Sequence, residues 1–231
     1  MSANSQVPIY ETSDHYLGQL GEDYLAYAAV IMDTTGKITA EIMQPYVNST
    51  DTVLDFGAGT GSTLHHLKAR RKVAVEINPA ARQGCHDRFG NEIEMHSDIS
   101  SIGNGSVDVC ISNHCLEHVP YPIAALREIR RTLRPGGRLI LRVPIDDWRA
   151  SKQYRAEDIN HHLHTWTPLL LGHTLFDAGF REFSVRVDAH AVPPRHTEKF
   201  YRLLPRPLFN AVCRMIAILR RRRSLVAVCT A

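Results

Sequence analysis

Short apolar runs alternate with helical stretches along most of the chain, beginning near Thr52. In the runs Val109–Ile111 and Leu139–Leu141 the apolar residues are continuous, which is typical of strands covered on both faces of a sheet. Strands that alternate with helices indicate βαβ units and a parallel sheet. The pattern therefore predicts an α/β fold with a doubly wound sheet, with its first five strands at Val53–Phe56, Val73–Ile77, Met95–Ser97, Val107–Ser112 and Arg138–Val143.

The rest of the chain adds a helix, two strands and two flanking regions. A helix is predicted at Pro168–Ala178, ended by Gly179, and strands at Phe183–Val187 and Ser224–Cys229. The span between these strands, residues 193–223, is interpreted as an insertion. We expect a single domain of 231 residues. Its parts are an N-terminal helical cap at 1–50 with Tyr16, Tyr24 and Tyr27, a ligand-binding core at 51–145, and an acceptor-side region at 146–231.

Composition narrows the class of protein. Hydrophobic residues make up 44% and charged residues 22% of the chain, a globular balance, and the net charge is +3. The five cysteines form no C-x-x-C pair, so a reducing, cytoplasmic setting is expected. Residues Met1–Pro8 do not resemble a secretory signal, and no apolar run reaches the roughly 18 residues of a membrane span. No motif for nucleic acid is present, so we expect no nucleic-acid partner.

A glycine-rich turn follows the first predicted strand. Asp55-Phe56-Gly57-Ala58-Gly59-Thr60-Gly61 comes directly after Val53-Leu54 and opens a helix. Glycines at such a turn let a ligand approach the backbone closely, although a plain tight turn is the alternative. Ser62 stands where a dinucleotide fingerprint has its third glycine, and an acidic residue precedes the first glycine. The turn therefore predicts a nucleotide-like ligand without a pyrophosphate.

Two more acidic residues come at the ends of the next two strands. Glu76 lies about twenty residues after the glycine turn, where an acidic side chain accepts ribose hydroxyls in nucleotide-binding folds. Asp98 ends the third strand, where a carboxylate can accept a hydrogen bond from an adenine amino group. Ile77 and Ile99 are placed to sandwich the adenine ring. A solvated charge at a strand end is the alternative for Glu76.

These motifs resemble those of the class I methyltransferase family, strongly over Thr52–Val143. Val53–Gly61 resembles the family's cofactor loop, Ser112–Val119 the segment that borders the sulfonium, and Leu133–Leu139 the turn into the fifth strand. The resemblance implies a Rossmann-like, seven-stranded sheet whose last strand, Ser224–Cys229, is antiparallel. It also implies S-adenosylmethionine as cofactor, with S-adenosylhomocysteine as product. The implied cofactor-binding residues are Asp55, Phe56, Gly57, Ala58, Gly59, Gly61, Glu76, Ile77, Asp98, Ile99 and Asn113.

The acceptor is less clearly indicated than the cofactor. Asp158–Thr167 resembles a subset of bacterial methyltransferases that modify sugars or envelope polysaccharides, so a small molecule or glycan is the expected substrate. If a hydroxyl accepts the methyl group, a histidine base helps. His114 and His162 are the catalytic candidates, although each alone is more often structural or exposed. His161 and His164 lie in the same acceptor-wall segment as His162.

A metal site is an alternative at His114-x-x-Glu117-His118, because side chains at these spacings share one helical face. Some related hydroxyl methyltransferases have metal ligands in this segment, but His114 replaces their first carboxylate. The same Leu-Glu-His string is common in relatives without a metal. We therefore expect no metal, and we expect Glu117 and His118 to fix the loop by hydrogen bonds.

The predicted insertion ends in a cluster of four arginines, Arg220, Arg221, Arg222 and Arg223, after apolar residues at helical spacing. The simple interpretation is a packed helix with a solvated basic end. A peripheral contact with an anionic membrane surface, on the inner membrane face, or with a phosphate-bearing substrate is the alternative.

The sequence has two alternative interpretations besides methyl transfer. A nicotinamide-dependent reductase or epimerase would share Gly57, Gly59 and Glu76, but the chain lacks the usual Tyr-x-x-x-Lys pair. A non-catalytic relative would bind the cofactor without turnover, and only methyl transfer to a product excludes it. The sequence does not indicate the oligomeric state.

Overall fold

The structure, a computed structural model, describes residues 14–156, 158–193 and 196–231, and no side chains for 27–31. The predictions for Met1–Pro8 and the Tyr27 side chain lie outside this part. Seven strands form one sheet in the order β3-β2-β1-β4-β5-β7-β6. The strands are β1 Thr52–Phe56, β2 Arg71–Val75, β3 Glu94–His96, β4 Val107–Asn113, β5 Leu133–Ile145, β6 Glu182–Asp188 and β7 Arg223–Thr230.

The direction of the strands agrees with the predicted fold class. Strands β1 to β5 pair in parallel, and β7 is antiparallel to both β5 and β6. The predicted Rossmann-like sheet with an antiparallel last strand is confirmed. Residues of β1 are buried along its whole length, as expected for a central strand that is covered on both faces.

Helices cover both faces of the sheet. Two core clusters lie on its two sides, one with Leu54 and Leu126 and the other with Val53 and Leu64, so consecutive residues of β1 enter opposite layers. This arrangement leaves the carboxyl ends of the strands as the open edge of the sheet. The helices are α1 Gly18–Met43, α2 Ser62–His66, α3 Pro79–Phe89, α4 Pro122–Thr132, α5 Pro168–Asp177, α6 Thr197–Leu203 and α7 Arg206–Leu219.

Most strands begin or end one or two residues from the predicted boundary, and two of the differences matter for the sheet and the site. Strand β5 starts at Leu133 rather than Arg138, because Val107 pairs with Leu133 and Val109 with Arg138 across a bulge. Strand β2 ends at Val75, so Glu76 lies just beyond it, where its backbone N–H still donates to His96 O at 3.0 Å. Glu76 is therefore held at the edge of the sheet by the neighbouring strand.

The insertion at residues 193–223 contains α6 and α7, which pack against α1. Phe209 and Cys213 of α7 are buried with Tyr201 of α6 and Ile38 of α1 in a third core cluster. Within the described ranges, no helix combines the length and apolar character that a membrane span needs.

Candidate functional site

A cavity of about 390 Å³ lies at the carboxyl ends of β1, β2 and β4, beneath α1. This volume is in the usual range for a small-molecule site, and the position is where ligands bind in open α/β folds. Nine of the thirteen predicted cofactor and catalytic residues line it: Asp55, Phe56, Gly57, Ala58, Gly59, Glu76, Ile77, Asn113 and His114. The structure therefore brings most of the predicted site into one space.

The glycine turn closes the lower wall of the cavity. Gly57 has φ +81°, and a Cβ there would collide with Cys115 Sγ, so both its angle and its packing require glycine. Gly59 has φ +54°, and a Cβ there would meet no atom within 4 Å. The backbone of Gly59 is therefore accessible from the cavity. Its N–H donates to Glu76 Oε2 at 2.8 Å.

Two carboxylates, the buried Asp55 and the half-buried Glu76, stand at this wall. Burial raises the pKa of Asp55 to about 7, and the neighbouring Glu76 charge adds to the rise. Burial also raises the pKa of Glu76, although the N–H groups of Asn78 and Gly59 stabilise its charged form. The free protein thus keeps two carboxylates in a costly environment that hydrogen-bond donors or positive charge from a ligand would relieve.

Three predicted cofactor residues do not line the cavity in this structure. Gly61 caps the start of α2 at φ +76°, where a Cβ would meet Cys85 Sγ at 2.7 Å. The Asp98 carboxylate accepts a hydrogen bond from Ser100 N at 2.6 Å. Ile99 is only 2% exposed, because the 3-10 turn that Asp98 caps directs its side chain into the core. Asp98 and Ile99 therefore start a turn rather than the cavity wall.

Helix α1 supplies a wall that sequence reasoning missed. Met32, Thr35, Gly36 and Thr39 line the cavity from above. A Cβ at Gly36 would collide with the Ser62 side chain, so the glycine lets α1 lie directly on α2. A run of small residues at one helical face, Thr35, Gly36 and Thr39, was the available signal, but it does not distinguish a ligand wall from close helix packing.

His114, one of the two catalytic candidates, lines the cavity with φ +52°. Arg142 Nη1 lies 3.0 Å from His114 Nε2. A guanidinium can only donate, so Nε2 is the accepting nitrogen in this contact. His114 Nδ1 lies 3.4 Å from Glu117 Oε1. The imidazole is thus held between a buried arginine and a buried carboxylate.

Glu117 is fully buried in the loop after β4. Neither of its carboxylate oxygens accepts a hydrogen bond from the described residues by distance and angle. Burial raises the Glu117 pKa, but the neighbouring His114 and His118 imidazoles outweigh it and hold the pKa below its usual value. Glu117 is therefore an ionised carboxylate without good hydrogen-bond partners.

His118 also lines the cavity, and its two nitrogens have different surroundings. Nδ1 lies 2.7 Å from the Tyr16 hydroxyl, and Nε2 lies 3.8 Å from Glu117 Oε1. Burial lowers the His118 pKa to about 4, although the Glu117 charge opposes this. The ring is therefore neutral at neutral pH.

His162, the second catalytic candidate, lies behind His118 and does not line the cavity. Its loop is held at Glu117, whose backbone carbonyl accepts the N–H groups of Leu163 and His164 at 2.9 and 3.1 Å. The His162 ring packs edge-on against His118 at 4.9 Å, and Nδ1 contacts Asp146 Oδ2. The backbone carbonyl of Glu117 thus holds the loop that carries His162.

The remaining predicted residues lie outside the cavity. The His161 ring stacks on His15 at 4.6 Å. Of the four arginines, Arg223 pairs with Asp147 at 2.7 Å and Arg222 lies 4.9 Å from the Trp148 ring. Arg220 and Arg221 are exposed. Arg222 and Arg223 therefore contact neighbouring side chains, whereas Arg220 and Arg221 face solvent.

Comparison with known proteins identifies relatives of this chain. Residues 29–184 match the family described as methyltransferase domain. An uncharacterized methyltransferase of Mycobacterium sp. strain KMS is 32% identical over 126 residues, which cover 52% of this chain and 50% of that protein. A malonyl-[acyl-carrier protein] O-methyltransferase of Hahella chejuensis is 35% identical over 97 residues, covering 38% of this chain and 34% of that protein.

A similar fold has been solved with ligands. Burkholderia thailandensis 1,6-didemethyltoxoflavin-N1-methyltransferase, with bound 1,6-didemethyltoxoflavin and S-adenosylhomocysteine, has a TM-score of 0.60 and 22% identity, covering 91% of this chain and 84% of that chain. This likeness shows the fold. The chain spans about half the length of the mycobacterial methyltransferase that it matches.

Proposed function

Because this chain belongs to the methyltransferase-domain family, we propose that it transfers the methyl group of S-adenosylmethionine to a hydroxyl group of a small molecule or glycan. The observation that carries the proposal is the shared cavity, which is lined both by the glycine turn with the carboxylates Asp55 and Glu76 and by the histidines His114 and His118.

The residues at the glycine end fit the cofactor. A ligand can lie against the backbone of Gly59 without meeting a side chain. Asp55 and Glu76 supply negative charge for an ammonium group and acceptors for ribose hydroxyls. The raised pKa values of these carboxylates mean that such donors stabilise the loaded protein. When bound, the cofactor supplies an activated methyl group on a sulfonium.

The histidine end of the cavity, at His114 and His118, supports removal of a proton from the acceptor. His114 is the catalytic candidate that lines the cavity, so we assign it the proton of the acceptor hydroxyl. The acceptor oxygen gains the methyl carbon, and the electrons of the broken carbon–sulfur bond stay on sulfur. The proton goes to His114 Nε2, which gives up its hydrogen bond from Arg142 Nη1 when it takes the proton. Glu117, 3.4 Å from His114 Nδ1, stabilises the resulting imidazolium.

Transfer of labelled methyl groups tests this function. The full chain is incubated with methyl-labelled S-adenosylmethionine and a panel of sugars and hydroxylated small molecules, alongside matched amine compounds. Label in an ether-linked methyl product is the expected result. Label only on nitrogen contradicts the hydroxyl assignment, and cofactor binding without label in any product supports a non-catalytic relative.

We also propose that Arg220 and Arg221 contact an anionic membrane surface. Beside them on α7 lie exposed apolar side chains, with Ile218 66% and Leu219 74% exposed. Exposed apolar groups next to cations suit an interfacial helix. Sedimentation with anionic vesicles is expected to fall in an Arg220→Gln/Arg221→Gln variant and to persist in Arg130→Gln, an exposed arginine of α4. Equal sedimentation of all three proteins contradicts this contact.

A further inference from the structure

One carboxylate and two imidazoles converge beside the cavity. A ligand-type atom of each of Glu117, His118 and His162 lies within 4.8 Å of the other two. Glu117 is fully buried, and its two oxygens accept no hydrogen bond in the described part of the chain. A buried carboxylate whose only close polar neighbours among the described residues are imidazoles at 3.4 and 3.8 Å is incompletely compensated, so this arrangement is complementary to a cation.

The proton positions around His118 favour the same conclusion. The Tyr16 hydroxyl donates its one proton to the carbonyl oxygen of Asn160 at 2.7 Å. Its oxygen can then only accept from His118, so His118 Nδ1 carries a hydrogen. Nε2 is the nitrogen that remains for a metal ion, and it lies 3.8 Å from Glu117 Oε1. An imidazole nitrogen and a carboxylate oxygen, both common metal ligands, therefore face each other.

His162 is oriented in the same manner. Its Nδ1 contacts Asp146 Oδ2, and Asp146 is 8% exposed. A carboxylate accepts, so Nδ1 donates to Asp146 and Nε2 is the nitrogen that remains for a metal ion. A carboxylate or another acceptor that fixes the far nitrogen is the usual companion of a metal-binding histidine. Both histidines here have such a companion, Asp146 for His162 and Tyr16 for His118.

We propose that Glu117, His118 and His162 bind a divalent transition-metal ion, and that Zn²⁺ fits this donor set best. Two imidazoles and one carboxylate, with a coordination position left open, form a common catalytic zinc set. Bonds of roughly 2.0–2.2 Å put two ligands of one ion at most about 4.4 Å apart. The 3.8 Å separation fits this limit, and the 4.8 Å outer bound requires only small movements.

This site differs from the one that the sequence suggested. His114, the first residue of the His114-x-x-Glu117-His118 pattern, is held by Arg142 through Nε2. His162 takes its place from a loop more than forty residues later, as the sequence numbering shows. Since His118 lines the cavity, an acceptor oxygen can approach the open position of the ion from there. That use of the ion rests on the proposed function, whereas binding of the ion does not.

Metal titration of the full chain tests the proposal. The protein is stripped with a chelator and titrated with Zn²⁺ by calorimetry, and with Co²⁺ by visible absorption, which reports the coordination geometry. One ion per chain with a spectrum of a site of mixed nitrogen and oxygen ligands is expected. Absence of saturable binding overturns the proposal.

Graded variants sharpen the titration. Glu117→Gln and His162→Ala remove ligands and are expected to weaken Zn²⁺ binding by more than about 100-fold, whereas Asp146→Asn removes an orienting group and costs about 10–100-fold. His173→Gln, an exposed histidine of α5, is the matched control and binds as the wild type does. Wild-type affinity in the ligand variants, or an equal loss in His173→Gln, overturns the site.

Affinity for S-adenosylhomocysteine reports whether each variant is folded. If Glu117→Gln loses it, His162→Ala and Asp146→Asn decide the result. Failure of metal binding with intact methyl transfer rejects this inference alone. Intact metal binding without transfer to any hydroxyl rejects the proposed function alone.

Discussion

The carboxylates at the glycine end and at the histidine end of the cavity have their charges stabilised by different groups. At the glycine end, the charge of Glu76 is met by backbone N–H groups of nearby residues, and burial still raises the pKa values of Asp55 and Glu76. At the histidine end, the Glu117 carboxylate makes no well-formed hydrogen bond with the residues that the structure describes, and the imidazoles of His114 and His118 hold its pKa below the usual value. The first end is suited to a ligand that brings donors, and the second to a cation or a proton transfer.

Removal of His114 should give the largest effect and separate the two ends. His114→Ala is expected to lower turnover by about 10²–10⁴-fold, the usual contribution of a general base, with near-normal S-adenosylhomocysteine affinity. Single-turnover rates and calorimetry measure the two quantities. His173→Gln serves as the control. An equal loss of turnover and cofactor affinity would make His114 a cofactor or folding residue.

Asp55 should make the stability of the ligand-free protein depend on pH. Its pKa of about 7 in the folded protein exceeds the ordinary value of 3.8 for an aspartate, so the native state binds more protons between these values. Stability is therefore complete below about pH 4 with respect to this group and falls as pH rises through about 7. Asp55→Asn is expected to flatten the fall and to raise stability at pH 8 by up to about 4 kcal/mol.

Urea unfolding at several pH values checks this prediction. The same Asp55→Asn protein should bind S-adenosylhomocysteine more weakly, because it lacks a carboxylate assigned to the cofactor. A pH profile that is identical in the variant and the wild type would contradict the burial argument.

Replacement of Glu76 tests the glycine end alone. Glu76→Ala removes an acceptor for ribose hydroxyls and for Gly59 N–H, and hydrogen bonds to a charged group contribute about 1.5–3 kcal/mol. S-adenosylhomocysteine affinity should therefore fall about 10–100-fold, with Zn²⁺ binding retained. Glu94→Gln, an exposed partner of Arg71, is the control. Unchanged affinity in both Glu76→Ala and Asp55→Ala would reject the assigned cofactor site.

Gly59→Ala should have the smallest effect on stability and a selective effect on binding. Its Cβ would enter open space, so only the positive φ is unfavourable, at about 1 kcal/mol. Gly57→Ala also collides with Cys115 and should lower the melting temperature further. Thermal melts and cofactor titration compare the two variants. Equal melting temperatures would contradict the packing assigned to Gly57.

The glycine end was predictable because its parts follow one another closely in sequence. Asp55 to Gly61 and Glu76 belong to a single βαβ unit, so strand periodicity and turn chemistry place them together. Asp98 and Ile99 do not line the cavity, because a local hydrogen bond from Ser100 N turns the chain there, and their contact with the adenine stays a prediction. A sequence pattern does not show which acceptor a short polar side chain will use.

The histidine end could not be assembled from sequence in the same way. Tyr16, Glu117, His118, Asp146 and His162 come from four separate segments that meet only through the topology of the sheet and its connecting loops. The sequence pattern suggested His114 with Glu117 and His118, whereas backbone hydrogen bonds to the Glu117 carbonyl bring His162 to this place. Contacts of that kind have no periodic signature.

Calorimetric titration with S-adenosylhomocysteine, with NAD as the control ligand, tests the central claim most directly. Saturable binding of S-adenosylhomocysteine and none of NAD is the predicted result, since the turn lacks the third glycine of a dinucleotide site. Binding of NAD without binding of S-adenosylhomocysteine would contradict the account and favour an oxidoreductase.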